Sequence, residues 1–150
     1  NMSVGVNVLI ELARQATKLL GGEFDIEIIE KHHHNKLDAP SGTAITLAEG
    51  ILEKLDRKDK WVKGTFLAPD GTLSGTKSAV PDELSIHSIR EGEVPGIHSI
   101  RYDSEADSIT ITHDAKNRRG FALGAVLAAE YTAGKQGFLG MSDLFPFLKD

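Results

Sequence analysis

The chain has 150 residues, and 17 Lys and Arg against 22 Asp and Glu give it a net charge of −5. Hydrophobic residues make up 40% and charged residues 26%, which excludes disordered, collagen-like and fibrous classes. A mildly acidic balance disfavours general binding to nucleic acid or anionic membrane, and the absence of cysteine excludes disulfides, a thiol nucleophile and a Cys-based zinc site.

The length suffices to bury a core without covalent staples, so residues 1–150 read as one domain. No apolar stretch reaches bilayer-spanning length and no secretory signal pattern is present, so a cytoplasmic location is expected. The chain starts at Asn1 and enters an apolar run almost at once. It is therefore read as a piece of something longer, cut at its N-terminus.

Leu9, Leu12, Ala13, Ala16 and Leu20 recur at spacings of three and four, which predicts a helix over 4–20. Ser3 is its expected cap and Gly21-Gly22 its stop. Phe24, Ile26 and Ile28 alternate with Asp25 and Glu27, the pattern of a half-buried strand over 23–30. Asp38-Ala39-Pro40-Ser41-Gly42-Thr43 is expected to open a second helix with Pro40 in its first turn. Residues 56–82 are polar, with Gly and Pro throughout, and read as a long surface loop.

Three strands follow at 83–90, 96–102 and 107–114, joined by hairpin-length turns. The string Ile-His-Ser-Ile-Arg occurs at 86–90 and again at 97–101, which is too little to make a repeat protein. An Ala-rich helix over 119–133, with small residues all round, is expected to be deeply buried, and a Gly-punctuated tail runs over 134–150. The order predicts an α+β fold: a mixed four-stranded sheet with helices on one face, the other face being free for oligomerisation.

The segment from Glu30 to Ala44 carries most of the chemistry, because it leaves a strand and enters a helix N-terminus. The N–H groups of Ser41, Gly42 and Thr43 lack partners within a helix and point outward with its positive dipole end, as an anion site. Gly42 lets a ligand approach the backbone, and Lys36 adds a full positive charge. The adjacent histidines can move protons near neutral pH. Together these groups suggest chemistry on a small carboxylate or phosphate.

Plainer readings exist. Ser-Gly-Thr after Pro also describes an ordinary cap, and three histidines also describe a solvated strand end. His32 and His34 share a strand face and could bind zinc with His98 or His113, but no carboxylate sits at ligand spacing and no metal is assigned. Arg118 and Arg119 precede the last helix, as surface charges or as a second anion contact. No G-x-G-x-x-G, Walker loop, G-x-S-x-G or H-E-x-x-H is present, so the usual nucleotide cradle is missing from these residues.

The stretch His32-His33-His34-Asn35-Lys36-Leu37-Asp38-Ala39-Pro40-Ser41-Gly42-Thr43-Ala44 closely resembles the signature of the dihydrodipicolinate reductase family. Asn1 to Asn7 looks like that family's entry into its C-terminal domain, and Ile111-Thr112-His113 with Arg118 and Phe121 like its last strand and helix. The resemblance implies the C-terminal domain of a reductase whose N-terminal Rossmann domain binds NADH or NADPH. The implied reaction reduces 4-hydroxy-tetrahydrodipicolinate, a cyclic dicarboxylate, in the diaminopimelate–lysine pathway, within a homotetramer.

By residue, the resemblance implies His32 as proton donor and Lys36 as its partner in catalysis. It implies His33, Gly42 and Thr43 as holders of the substrate carboxylates, assisted by Ser41 and Arg118. Asn1 and Met2 match the chain's exit beside the nicotinamide, with Met2 standing where many members carry Phe. His34 and Asn35 receive no role. Two other classes are a stand-alone small-acid-binding or oligomerisation module and a dehydrogenase acting on a different small acid.

Overall fold

The computed structural model describes residues 1–149; the last residue of the 134–150 tail lies outside the described residues. Ser3 starts helix α1 (Val4–Leu20) by accepting the Val6 N–H on its side chain, and Gly21 ends it. Strand β1 (Asp25–His32) alternates as expected, so Ile26 and Ile28 meet the helices while Glu27 and Ile29 face away. Helix α2 spans Gly42–Leu52, and Ser41 caps it through its hydroxyl to the Ala44 N–H. Pro40 thus precedes the cap instead of entering the first turn, because Ser41 supplies the acceptor that starts the helix.

The sheet has six strands, not four. The extra two, β2 (Lys60–Leu67) and β3 (Leu73–Ser74), come from the segment expected to be a loop. Trp61, Val62, Phe66 and Leu67 favour a strand, but Gly64 interrupts their pattern at a register shift between Lys63 and Phe66. A Cβ on Gly64 would lie 2.6 Å from His87 Nδ1, so only glycine allows this approach. The strands β4 (Glu83–Arg90), β5 (Ile97–Asp103) and β6 (Ser108–Asp114) follow where the sequence placed them, within a residue or two.

The strand order is β3-β2-β4-β1-β5-β6. β2, β4 and β1 run parallel, while β5 and β6 continue antiparallel beside β1. Helices α1 and α2 cover one face, burying Leu9, Ala13, Leu47 and Ile51 against Ile26, Ile28, Ile86 and Ile100. Each of these Leu and Ile side chains contributes about 1.5–3 kcal/mol by leaving water. The opposite face carries half-buried Ile29, Ile89 and Ile97 around a charged centre. There Glu27 lies 3.5 Å from His87, 3.0 Å from Lys77 and 3.8 Å from Arg101. His87 and Lys77 hold the Glu27 carboxyl at about 2.

Helix α3 (Arg119–Thr132) departs from the deep burial expected of it: only Gly124 is buried, while Leu123 and Val126 are exposed. The reason is its contact. A Cβ on Gly124 would lie 2.1 Å from the Met2 carbonyl oxygen, so α3 seats its backbone on the chain's first residues through that one glycine. A short helix α4 (Met141–Leu144) and a 3-10 turn (Pro146–Leu148) follow.

Candidate functional site

The strands that build the core also build the site, by continuing the same alternation. On β1, Ile26 and Ile28 are followed on the same face by Glu30 and His32; on β4, Leu84 and Ile86 are followed by Ser88 and Arg90. Glu30 pairs in register with Ser88 on one side and His98 on the other, and His98 pairs with His113. A row of polar side chains therefore crosses the sheet at the C-terminal ends of its parallel strands, where open α/β sheets place their ligands.

Glu30 is fully buried and ionised. Its carboxylate accepts two hydrogen bonds from Arg90, at 2.8 and 2.9 Å, and the Ser41 N–H at 3.1 Å. Its Oε2 also lies 2.6 Å from His32 Nδ1. Burial pushes the Glu30 carboxyl up, but the hydrogen bonds from His32 and Arg90 override it and hold the group at about 2. An ionised carboxylate only accepts, so His32 carries its proton on Nδ1 and leaves Nε2 for the cleft. A Cβ on Gly96 would lie 3.1 Å from that Nε2, so the glycine keeps space beside it.

Arg90 also donates to the carbonyls of Lys36 and Asp38, at 3.2 and 2.6 Å, and so fixes the turn between β1 and α2. Ser41 Oγ lies 2.9 Å from His98 Nε2, and the His32 and His98 rings meet edge to face with centroids 5.1 Å apart. Burial, with His32 close by, pushes His98 down to about 3, so its ring is neutral.

His32, Lys36, Ser41, Gly42, Thr43 and Asn1 line one cleft of about 780 Å³, together with Arg14 and Asn7 of α1. Met2, His33 and Arg118 line an adjoining cleft of about 510 Å³ that shares Asn1, His32 and Lys36. Every residue to which the family resemblance gives a role thus lies on this pair of clefts, whereas His34, His98, His113 and Arg119 line neither. Lys36 Nζ sits 2.7 Å from Asp38 Oδ1, and Asn1 Nδ2 donates to Thr43 Oγ1 at 3.3 Å.

One expectation changes. The Ser41 N–H does not face a ligand, because Glu30 takes it. The N–H groups of the helix start that remain for a ligand are those of Gly42 and Thr43, at its first two positions. A Cβ on Gly42 would meet nothing within 4 Å, which leaves that approach open. His34 turns away: its Nδ1 lies 2.8 Å from the Gly92 carbonyl and 3.3 Å from Glu93. Among the described residues no three of His, Asp or Glu gather as a metal site.

Glu30 and Arg90 carry no functional role in the sequence analysis, and His98 only that of a possible zinc ligand. Ending the first strand at Glu30 hid the period-two signal that carries Glu30 and His32 onto the core face. Met141, Ser142 and Leu148 also line the cleft from a tail with no regular pattern.

A family model described as dihydrodipicolinate reductase, C-terminus, matches residues 5–145. The 4-hydroxy-tetrahydrodipicolinate reductase of Christiangramia forsetii is 44% identical over 146 residues, covering 96% of this chain and 56% of that protein. The protein of the same name from Caldanaerobacter subterraneus is 43% identical, covering 96% and 55%. A solved structure, the dipicolinate-bound dihydrodipicolinate reductase from Paenisporosarcina sp. TG-14, superposes with a TM-score of 0.71 at 30% identity, covering 97% of this chain and 52% of that one. The chain spans about half the length of the curated relatives it matches.

Proposed function

The chain belongs to the dihydrodipicolinate reductase C-terminal domain family, and from that premise we propose that residues 1–150 act as the substrate-binding and catalytic domain of a 4-hydroxy-tetrahydrodipicolinate reductase. The observation that carries this reading is the convergence of His32, Lys36 and the open helix start at Gly42 and Thr43 on one cleft. A proton donor, a cation and unpartnered amides within one small volume suit a cyclic dicarboxylate. The dipicolinate bound to the similar Paenisporosarcina reductase has that chemistry.

In this reading the Gly42 and Thr43 amides, the Thr43 hydroxyl and Lys36 hold one substrate carboxylate. Ser41 shapes the helix start, and His33 and Arg118 contact the ligand from the adjoining cleft. His32, its Nδ1–H held by Glu30, first takes a second proton from solvent on Nε2 and then gives that proton to the ring. The adjoining cleft also fits the edge of a nicotinamide: Met2, Pro95, Phe121 and Ala125 make an apolar wall and Asn1 adds an amide. Bound there, NADH or NADPH supplies a hydride, and the dinucleotide is held mainly by a nucleotide-binding domain outside these residues. The residues here orient the acceptor ring, exclude water and deliver the proton.

The open sheet face, with Ile29, Ile89 and Ile97 around Glu27, is the surface for a homotetramer. The enzyme serves diaminopimelate and lysine biosynthesis in the cytoplasm. The isolated chain has no turnover and no useful NAD(P)H affinity.

The test is His32→Gln in the full-length reductase. Turnover is expected to fall by about two orders of magnitude or more, with the KM for the dicarboxylate nearly unchanged. Unchanged turnover removes His32 from the reaction.

A further inference from the structure

We propose that Glu30, clamped by Arg90, is the positioning residue of this site. One carboxylate fixes His32 with its proton on Nδ1 and Nε2 toward the cleft, and ties that ring to the carboxylate-binding helix start through the Ser41 N–H. The inference rests on the reading of His32 as proton donor.

The geometry assigns each oxygen of Glu30 a double duty. Oε2 takes His32 Nδ1 at 2.6 Å and Arg90 at 2.8 Å; Oε1 takes the Ser41 N–H at 3.1 Å and Arg90 at 2.9 Å. The proton donor and the helix start are thus referenced to one rigid group, eleven residues from Ser41 along the chain. Arg90 holds that group from a neighbouring strand by a bidentate fork, which allows the carboxylate one plane. Its remaining donors take the Lys36, Asp38 and Ile89 carbonyls, so the backbone that carries the cleft's cation is tied to the same clamp.

A purely structural ion pair at this place has no need of the imidazole. Replacing such a pair by packed apolar residues is often neutral for stability. Here the carboxylate instead faces a ring that lines both clefts. An acceptor on Nδ1 sets which nitrogen meets the ligand, as the third group of a hydrolytic triad orients its histidine.

The test has an arm that needs no turnover. Nitrogen-15 spectra of the His32 ring in this 150-residue chain are expected to show the neutral ring protonated on Nδ1. A wild-type ring protonated on Nε2 overturns the proposal. In Glu30→Gln the amide can donate to Nδ1, so the proton is expected to move to Nε2. In the full-length reductase that variant is expected to lose at least about tenfold in kcat, with the KM for the dicarboxylate within about threefold, because the Gln carbonyl still accepts the Ser41 N–H. If Glu30→Gln does not fold, Glu30→Gln/Arg90→Gln leaves no unpaired buried charge and carries the same expectations. Unchanged kcat and tautomer in the variant, alongside a dead His32→Gln, overturn the positioning role and leave the proton donor standing. An active His32→Gln overturns the proton donor itself.

Discussion

Arg90 and Arg101 end two copies of the same pentapeptide, Ile-His-Ser-Ile-Arg, and their side chains stand on opposite faces of one sheet. In β4 the copy turns Ile86, Ser88 and Arg90 inward; in β5 it turns His98 and Ile100 inward and Arg101 out. The Arg90 side chain is 1% exposed and the Arg101 side chain 44%. Strand alternation produces the difference, since a shift of one residue exchanges the faces.

Identical residues should therefore respond differently to the same substitution. Arg90→Met strands the buried Glu30 carboxylate and is expected to lose about 3–5 kcal/mol of stability. Arg101→Met removes an exposed cation that pairs with Asp103 and, at 3.8 Å, with Glu27, which keeps Lys77, and is expected to change stability by no more than about 1 kcal/mol. Chemical denaturation of the two variants under one condition gives the comparison. Equal losses would mean that the face assignment is wrong.

Lys36 pairs with Asp38 at 2.7 Å. The hydrogen bond from Lys36 holds the Asp38 carboxyl below its ordinary range. A ligand carboxylate has to take the ammonium from Asp38. Asp38→Asn is expected to tighten pyridine-2,6-dicarboxylate binding a few-fold, whereas Lys36→Ala weakens it about tenfold or more. Calorimetric titration of both variants decides it; weaker binding by Asp38→Asn would assign Asp38 to the ligand site.

Much of this was legible because the signal was local. The motif from His32 to Ala44 fixed the β1–α2 junction, and its His32, His33, Lys36, Gly42 and Thr43 all lie on the clefts. The helix over 4–20 followed from one apolar stripe and two terminal signals. What was not legible depended on partners distant in sequence. Glu30 and Arg90 are sixty residues apart, and each alone reads as a surface charge at a strand end. β2 was obscured by Gly64, whose meaning is the approach of His87 from another strand. α3 looked buried by composition, but of its small residues Gly124 alone is buried, against the backbone of Met2 and Ser3.

Burial of neutral His98 makes stability depend on pH above the carboxylate range. Its folded value is held near 3 against an unfolded value near 6.5, so the unfolded chain binds the proton first. Stability from this group is complete above about pH 6.5 and is lost as pH falls from there toward 3. Glu30 and Glu27, held at about 2, add a second loss only below about pH 4.5. The melting temperature should fall between pH 7 and 5 in the wild type and fall less steeply there in His98→Gln. Parallel slopes would place the titrating group elsewhere.

Gly124 offers a way to disturb the cleft proposed for the nicotinamide without touching the cleft proposed for the dicarboxylate. An alanine Cβ there would lie 2.1 Å from the Met2 carbonyl oxygen and 2.9 Å from the Ser3 nitrogen, both backbone atoms that cannot rotate away. Either α3 or the first residues has to move. The cleft built from Met2, Arg118 and Phe121 spans that contact, whereas Gly42 and Thr43 belong to α2 and the β1 junction. Gly124→Ala is therefore expected to keep pyridine-2,6-dicarboxylate affinity within about twofold in this chain, while raising the KM for NADH or NADPH several-fold in the full-length reductase. An overpacked contact of this kind also lowers stability by about 1–3 kcal/mol, which thermal unfolding would register. Loss of dicarboxylate binding with unaltered cofactor KM would reverse the assignment of the two clefts.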